Sequence, residues 1–221
     1  MKTIEISLYK FDELSEAAQQ KAINNERENV CVDFIYDDAY CTVKAFNNVF
    51  GTSEGRNSWL DVDTSSFEDA ILELKGFRLQ KYLWNNFKDT LYKRKYLKTG
   101  ENRINNGDWL WHKMRRLNTI QNGENKGLIY FSYYSNIKKE SKNCNLTGMC
   151  YDEDILEPIY DFLEKRDFSN CTIDFESLIN DCFDELRKTV ENEIEYRNSD
   201  EAICEDLSDN DQDYLKSGKL F

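Results

Sequence analysis

Residues 75–98 read KGFRLQKYLWNNFKDTLYKRKYLK, a basic and aromatic stretch inside an acidic chain. Leu79, Leu83, Phe87 and Leu91 recur every four residues, the spacing that lines up side chains on one side of an α-helix. Arg78, Lys81, Lys88 and Lys95 fall on a second stripe, roughly opposite, and Lys93, Arg94 and Lys98 crowd its end. The spacing predicts a helix across the whole stretch, with one side for a core and the other showing cation to water or to a partner. A charge run of this kind is usually the solvated face of an ordinary core helix. The other reading is a contact surface for phosphate or for an acidic protein patch, formed by Arg78, Lys81, Lys88, Lys93, Arg94 and Lys95.

Working toward the N-terminus, Gly76 reads as a break between this helix and a short one from about Phe67. Ser58–Ser66 reads as a strand or exposed loop anchored by Trp59 and Leu60, and Gly51 reads as the end of a helix, since glycine suits the left-handed cap. That helix, about Asp33–Phe50, is marked by Ile35, Ala39, Val43, Phe46 and Phe50. Asp33 and Asp37 lie one turn apart on its wet side; such a pair can hold a cation but is more often a solvated face. Before it, Ser15 offers a hydroxyl N-cap to a helix running to about Glu28, with Ala18, Ala22 and Ile23 inward. Residues 3–9, TIEISLY, alternate as a strand with Ile4, Ile6 and Leu8 on one side.

Toward the C-terminus, residues 99–127 are rich in Gly and Asn and read as loop, carrying Trp109, Trp111, His112, Arg115 and Arg116. Leu128–Tyr134, LIYFSYY, is the best strand candidate. Pro158 reads as the first residue of a helix, where its missing N–H costs nothing, with Ile159, Phe162 and Leu163 inward. Asp174 caps the longest helix, about Phe175–Tyr196, whose apolar stripe is Phe175, Leu178, Ile179, Cys182, Phe183, Leu186, Val190 and Ile194. Ser199 caps a last helix with Ile203 and Leu207 inward. Tyr214–Phe221 reads as a closing strand with a turn at Ser217-Gly218. The expected architecture is therefore α+β, a helix-rich single compact domain over residues 1–221 with a short antiparallel sheet.

The charge is segregated. Residues 1–74 carry 6 basic and 15 acidic side chains, residues 75–143 carry 16 and 5, and residues 144–221 carry 7 and 22, within a total of −13. Either the basic middle packs against the acidic arms, or patches of opposite sign face solvent and recruit partners. The acidic patch that stands out is Asp200, Glu201, Glu205, Asp206, Asp209 and Asp211.

Reaction chemistry is sparse. There is no phosphate loop, GxSxG, HExxH or GxGxxG, and no catalytic residue, metal ligand or cofactor is assigned. Asp209-x-Asp211-x-Asp213 begins like a calcium loop but has Tyr214 at the sixth place and Leu220 at the twelfth, where glycine and glutamate belong. Asp152-Glu153-Asp154 reads as the charge cluster of a helix start. Seven cysteines include no CxxC pair, and with a single histidine they read mostly as free, buried thiols of a reducing cytosol. Asn145-Leu146-Thr147 and Asn170-Cys171-Thr172 match the glycosylation pattern, which a cytosolic protein does not use. No apolar run of membrane-spanning length exists, and MKTIEISLYKFDEL has acids where a signal peptide needs apolar residues.

Four blocks, LYKFDELSEAAQQKAI, GFRLQKYLWNNFKDTLYKRKYLK, NCNLTGMCYDEDILEPIYDFL and YRNSDEAICEDLSDND with the SGKLF tail, resemble a family of bacteriophage and prophage accessory proteins, some described as antitoxin-like. The resemblance implies phage origin and expression in the cytoplasm of an infected bacterium; it carries no reaction or ligand. Small phage proteins of this kind often block host defence, CRISPR nucleases included. The leading expectation is a stoichiometric, non-enzymatic inhibitor, an anti-CRISPR or other anti-defence protein. Its acidic surface would mimic nucleic acid and bind a bacterial host protein. The alternatives are a nucleic-acid or nucleotide binder using residues 75–98, and an enzyme of unrecognised type.

Overall fold

Helices form where the apolar spacing demands them. The computed structural model describes residues 6–91, 96–99, 102–105, 115–119, 129–132, 145–148, 151–165, 168 and 170–221. Only the backbone is described for the strands between 96 and 132 and for Lys88, Asp89 and Glu164. Among these residues lie helices α1 (Glu16–Arg27), α2 (Asp33–Phe50), α3 (Asp69–Leu72), α4 (Gly76–Leu91), α5 (Tyr151–Glu164), α6 (Phe175–Arg197) and α7 (Asp200–Asp209). The strands are β1 (Ser53–Glu54), β2 (Val62–Asp63), β3 (Tyr96–Thr99), β4 (Asn102–Asn105), β5 (Arg115–Thr119) and β6 (Ile129–Ser132). They pair as three antiparallel ladders, β1 with β2, β3 with β4 and β5 with β6. The fold is helix-rich α+β. The chain divides into two compact units, one of residues 1–36 and 190–221 and one of residues 37–189.

The first unit buries the small apolar face of α1 (Ala18, Ala22 and Ile23) with Phe11, Leu14, Ile203, Leu207 and Tyr214. Asp12 and Glu13 sit in a short 3₁₀ turn, Phe11–Glu13, ahead of α1. The tail closes this unit: Tyr9 and Tyr214 exchange backbone hydrogen bonds of 3.0 and 2.8 Å, and Tyr214 also bridges to Leu220. The expected turn is there, with Gly218 at φ +79°, and a Cβ at this glycine would stand 2.1 Å from the Ala18 carbonyl oxygen. No larger residue fits. The expected strand at 3–9 is not formed over residues 6–8, which make no ladder; Ile6 and Leu8 are exposed, and among the described residues of this segment the pairing is the single bridge at Tyr9. Ile4 lies outside the described residues.

The second unit is built on rings. Phe46 stacks on Phe50 with centroids 4.3 Å apart and meets Phe183 edge-on at 5.5 Å; Phe50 reaches Phe87 at 4.6 Å. Such pairs add to the burial of their own area. Leu79, Leu83 and Leu91 from α4, and Leu178, Ile179, Cys182, Phe183 and Leu186 from α6, are all buried. Asp174 accepts the Ser177 N–H at 2.9 Å, the expected cap. Burial alone would raise the Asp174 carboxyl, but Ser177 and the Lys75 ammonium hold it below the ordinary carboxylate value.

Three sequence expectations are corrected here. The basic helix ends at Leu91 instead of continuing to residue 98, and Tyr96–Thr99 is a strand. The Leu91 carbonyl accepts hydrogen bonds from Tyr160 Oη at 2.6 Å and from Asn145 Nδ2, so side chains cap that helix end. The expected loop at 99–127 contains β4 and β5. β3 pairs with β4 in antiparallel register from Tyr96 opposite Asn105 to Thr99 opposite Asn102. Asn and Gly composition hides strands whose pairing is set by a partner. Lastly, Pro158 is inside α5, not at its start. Asp152, Glu153 and Asp154 occupy the true first turn. Proline withholds the N–H that the Asp154 carbonyl would otherwise receive. The buried stripe Ile155, Leu156, Ile159, Tyr160, Phe162 and Leu163 carries the helix past that loss.

Candidate protein-contact surface

Residues 1–36 and 190–221 hold seventeen Asp and Glu against seven Lys and Arg, a balance of −10 out of the chain's −13. Among the described residues, every exposed large hydrophobic side chain also belongs to this unit: Ile6, Leu8, Phe34, Tyr36, Tyr196, Leu220 and Phe221. Exposed apolar side chains grouped in one strongly charged unit are the composition of a contact surface more than of a solubilising one.

Helix α7 carries five of these seventeen acids and no base. Ser199 Oγ accepts the Ala202 N–H at 3.2 Å and fixes where the helix begins. With Ala202, Ile203 and Leu207 buried, Glu201, Glu205 and Asp209 follow at four-residue spacing down the open side, and Asp206 stands beside them. The six acidic residues expected to act together are divided by the structure. Asp200 forms an ion pair with Arg27 and accepts from Gln20 Nε2 at 3.3 Å. Asp211 and Asp213 both reach Lys10 Nζ, at 2.6 and 2.9 Å. These contacts hold the lysine above its ordinary pKa and Asp211 below its own. Glu201, Glu205, Asp206 and Asp209 make no ion pair among the described residues.

Beside three of these acids, Glu201, Glu205 and Asp206, stands Tyr196, near the end of α6. Its hydroxyl donates to Glu205 Oε2 at 3.4 Å. Negative charge raises the phenol's pKa, with Glu205 the largest cause and Glu201 and Asp206 adding to it. The sequence marks Tyr196 only as the last residue of a helix; its aromatic ring three to ten residues from six acids is the available signal.

Of the basic residues, Arg78 and Lys81 lie exposed on α4, and neither forms an ion pair among the described residues. Lys75, just before them, pairs with Asp174 at 3.4 Å. The Lys88 side chain, Lys93, Arg94 and Lys95 lie outside the described residues, as do Trp109, Trp111 and His112. Arg115 and Arg116 open β5.

The second unit adds an acidic groove that sequence reading missed. It is about 480 Å³ and lined by Pro158, Glu157, Asp161, Asp181, Asp184 and Glu185 with Lys188. Four-residue spacing of acids on the outer rows of α5 and α6 was its trace in the sequence. Burial raises the Asp181 carboxyl above its ordinary value. Among the described residues no cluster of His, Cys, Asp and Glu has the grouping of a metal site, Asp33 and Asp37 being merely exposed. Among the described residues the thiols differ from expectation: Cys31 and Cys41 are exposed, Cys171 and Cys204 half-buried, and Cys182 alone is fully buried, with its pKa pushed well up by burial. Both exposed thiols flank or sit on the wet side of α2, which apolar spacing alone does not flag. No described helix is long and apolar enough to cross a membrane. The chain matches no family model, no curated protein and no solved structure.

Proposed function

We propose that this chain is a phage-encoded accessory protein acting in the cytoplasm of its bacterial host as a stoichiometric inhibitor of a defence protein. It works by protein–protein contact through the acidic unit, without catalysis. One observation supports the reading above others: the same unit concentrates the negative charge and the exposed apolar side chains. Carboxylates steer a basic surface toward encounter, and the apolar side chains supply the desolvated contact that charge alone lacks. A defence effector that binds nucleic acid offers such a basic surface, and the acids would occupy it in place of phosphates.

The test is capture of tagged protein from expressing bacterial cells, with bound protein and nucleic acid identified. The variant carrying Glu201→Gln, Glu205→Gln, Asp206→Asn and Asp209→Asn is expected to bind the captured partner about tenfold more weakly and with a flatter salt dependence. Four exposed charges at a few tenths of a kcal/mol each reach that size. Unchanged affinity at low salt would remove α7 from the contact.

The exposure of Arg78 and Lys81 favours a second reading, nucleic-acid binding through α4. Under the first reading, gel-shift titration at low salt shows no binding of short DNA or RNA at micromolar protein. Under the second, binding appears, falls with salt by about 0.7 log per log for each single-strand phosphate contact, and is lost in Arg78→Glu with Lys81→Glu.

A further inference from the structure

Arg197 shows how this surface holds a guanidinium. Its side chain lies over the Phe34 ring, 4.7 Å from the centroid, while its Nε donates to Glu193 Oε1 at 3.3 Å. A ring and a carboxylate together fix the cation. One residue earlier, Tyr196 offers the same two kinds of group with the cation missing. Tyr196 is 53% exposed. Glu205 touches its hydroxyl, and Glu201 and Asp206 are near enough to act on the phenol's charge. No Lys or Arg among the described residues pairs with any of these three acids.

We infer that Tyr196, Glu201, Glu205 and Asp206 receive an arginine side chain from a partner protein. The choice of arginine over lysine follows from shape. A planar guanidinium lies flat on a ring while its fork of N–H groups reaches carboxylates at the ring's edge. An ammonium satisfies the carboxylates without needing the ring. The inference rests on the reading of this unit as a contact surface, and it names the partner residue and where it docks.

The experiment uses the full chain and two fluorescent peptides of equal length and charge, one rich in arginine and one rich in lysine, titrated by anisotropy at moderate salt. Tyr196→Ala is expected to weaken the arginine peptide about three- to fivefold, the range for a cation on an exposed ring, and to leave the lysine peptide within about twofold. Tyr196→Phe retains the ring and is expected to retain arginine binding. Glu201→Gln with Glu205→Gln weakens both peptides. Tyr196 is exposed, so these variants fold, which circular dichroism verifies. Equal arginine binding by wild type and Tyr196→Ala overturns the inference, as does equal loss for both peptides. If a host protein is captured but the peptides show no ring dependence, the docking residue is wrong and the inhibitor reading stands. If the ring dependence appears and no host protein is captured, the docking residue stands and the inhibitor reading falls.

Discussion

Replacing Leu186 with alanine is expected to cost about 2–5 kcal/mol of unfolding free energy, the range for a buried leucine whose surroundings relax only in part. Leu186 is fully buried on α6, in one stripe with Leu178, Cys182 and Val190. Phe183, one turn back on the same helix, is clamped edge-on by Phe46, whose ring stacks on Phe50. Rings locked against each other cannot slide into the space a leucine vacates, so most of the cavity stays open. That pushes the cost toward the upper half of the range. Urea unfolding followed by circular dichroism measures it. A loss under about 0.5 kcal/mol would mean that α6 is peripheral, since no fully buried leucine is that cheap to truncate.

How far the sequence announced this fold depends on what fixes each element. Where one residue's burial repeats with the helix period, the reading holds to the residue: α2 begins at Asp33 and ends at Phe50 as its five apolar positions require. Two of the three expected caps behave the same way, since Ser199 and Asp174 accept from groups three residues away; Ser15 stands at the start of α1, but its hydroxyl makes no cap hydrogen bond. Reading failed where the deciding contact is distant in the chain. The end of α4 at Leu91 is set by Asn145 and Tyr160, which local spacing cannot reveal. The local preference of Pro158 for a helix start loses to the buried stripe on either side of it. The acidic patch was legible as composition, but its division was not. Asp200 and Asp211 look identical to Glu201 and Asp209 in sequence, and only the folded positions of Arg27 and Lys10 tell them apart.

Asp152 is the residue whose sequence reading understated it most, and its replacement is expected to be costly. It opens α5 as an ordinary first-turn acid, yet it is fully buried. Its Oδ2 accepts the backbone N–H groups of Leu146, Thr147 and Gly148 at 2.8, 2.7 and 2.9 Å. Its Oδ1 accepts the Thr147 hydroxyl at 2.8 Å and lies 3.4 Å from that of Thr42. Three consecutive amides aimed at one oxygen make a small anion nest, closed by Gly148 at φ +92°. Asp152→Ala leaves those donors without their acceptor. Water reaches this part-buried loop, so the expected cost is about 2–4 kcal/mol, below the full sum of three lost charge-assisted bonds. Asp152→Asn separates geometry from charge. Its amide oxygen can still face the three N–H groups while its NH₂ turns to the threonine hydroxyls, which accept as well as donate. The expected cost is then about 1–2 kcal/mol, the gap between charged and neutral hydrogen bonds. Urea unfolding of both variants measures the difference. If Asn costs as much as Ala, the nest binds charge and geometry matters little. If Ala costs under about 1 kcal/mol, water replaces the carboxylate and the loop is held elsewhere. The loop also carries Asn145, which caps α4 at Leu91. Hydrogen exchange in the last turn of α4 should therefore quicken in Asp152→Ala even though the two residues make no direct bond.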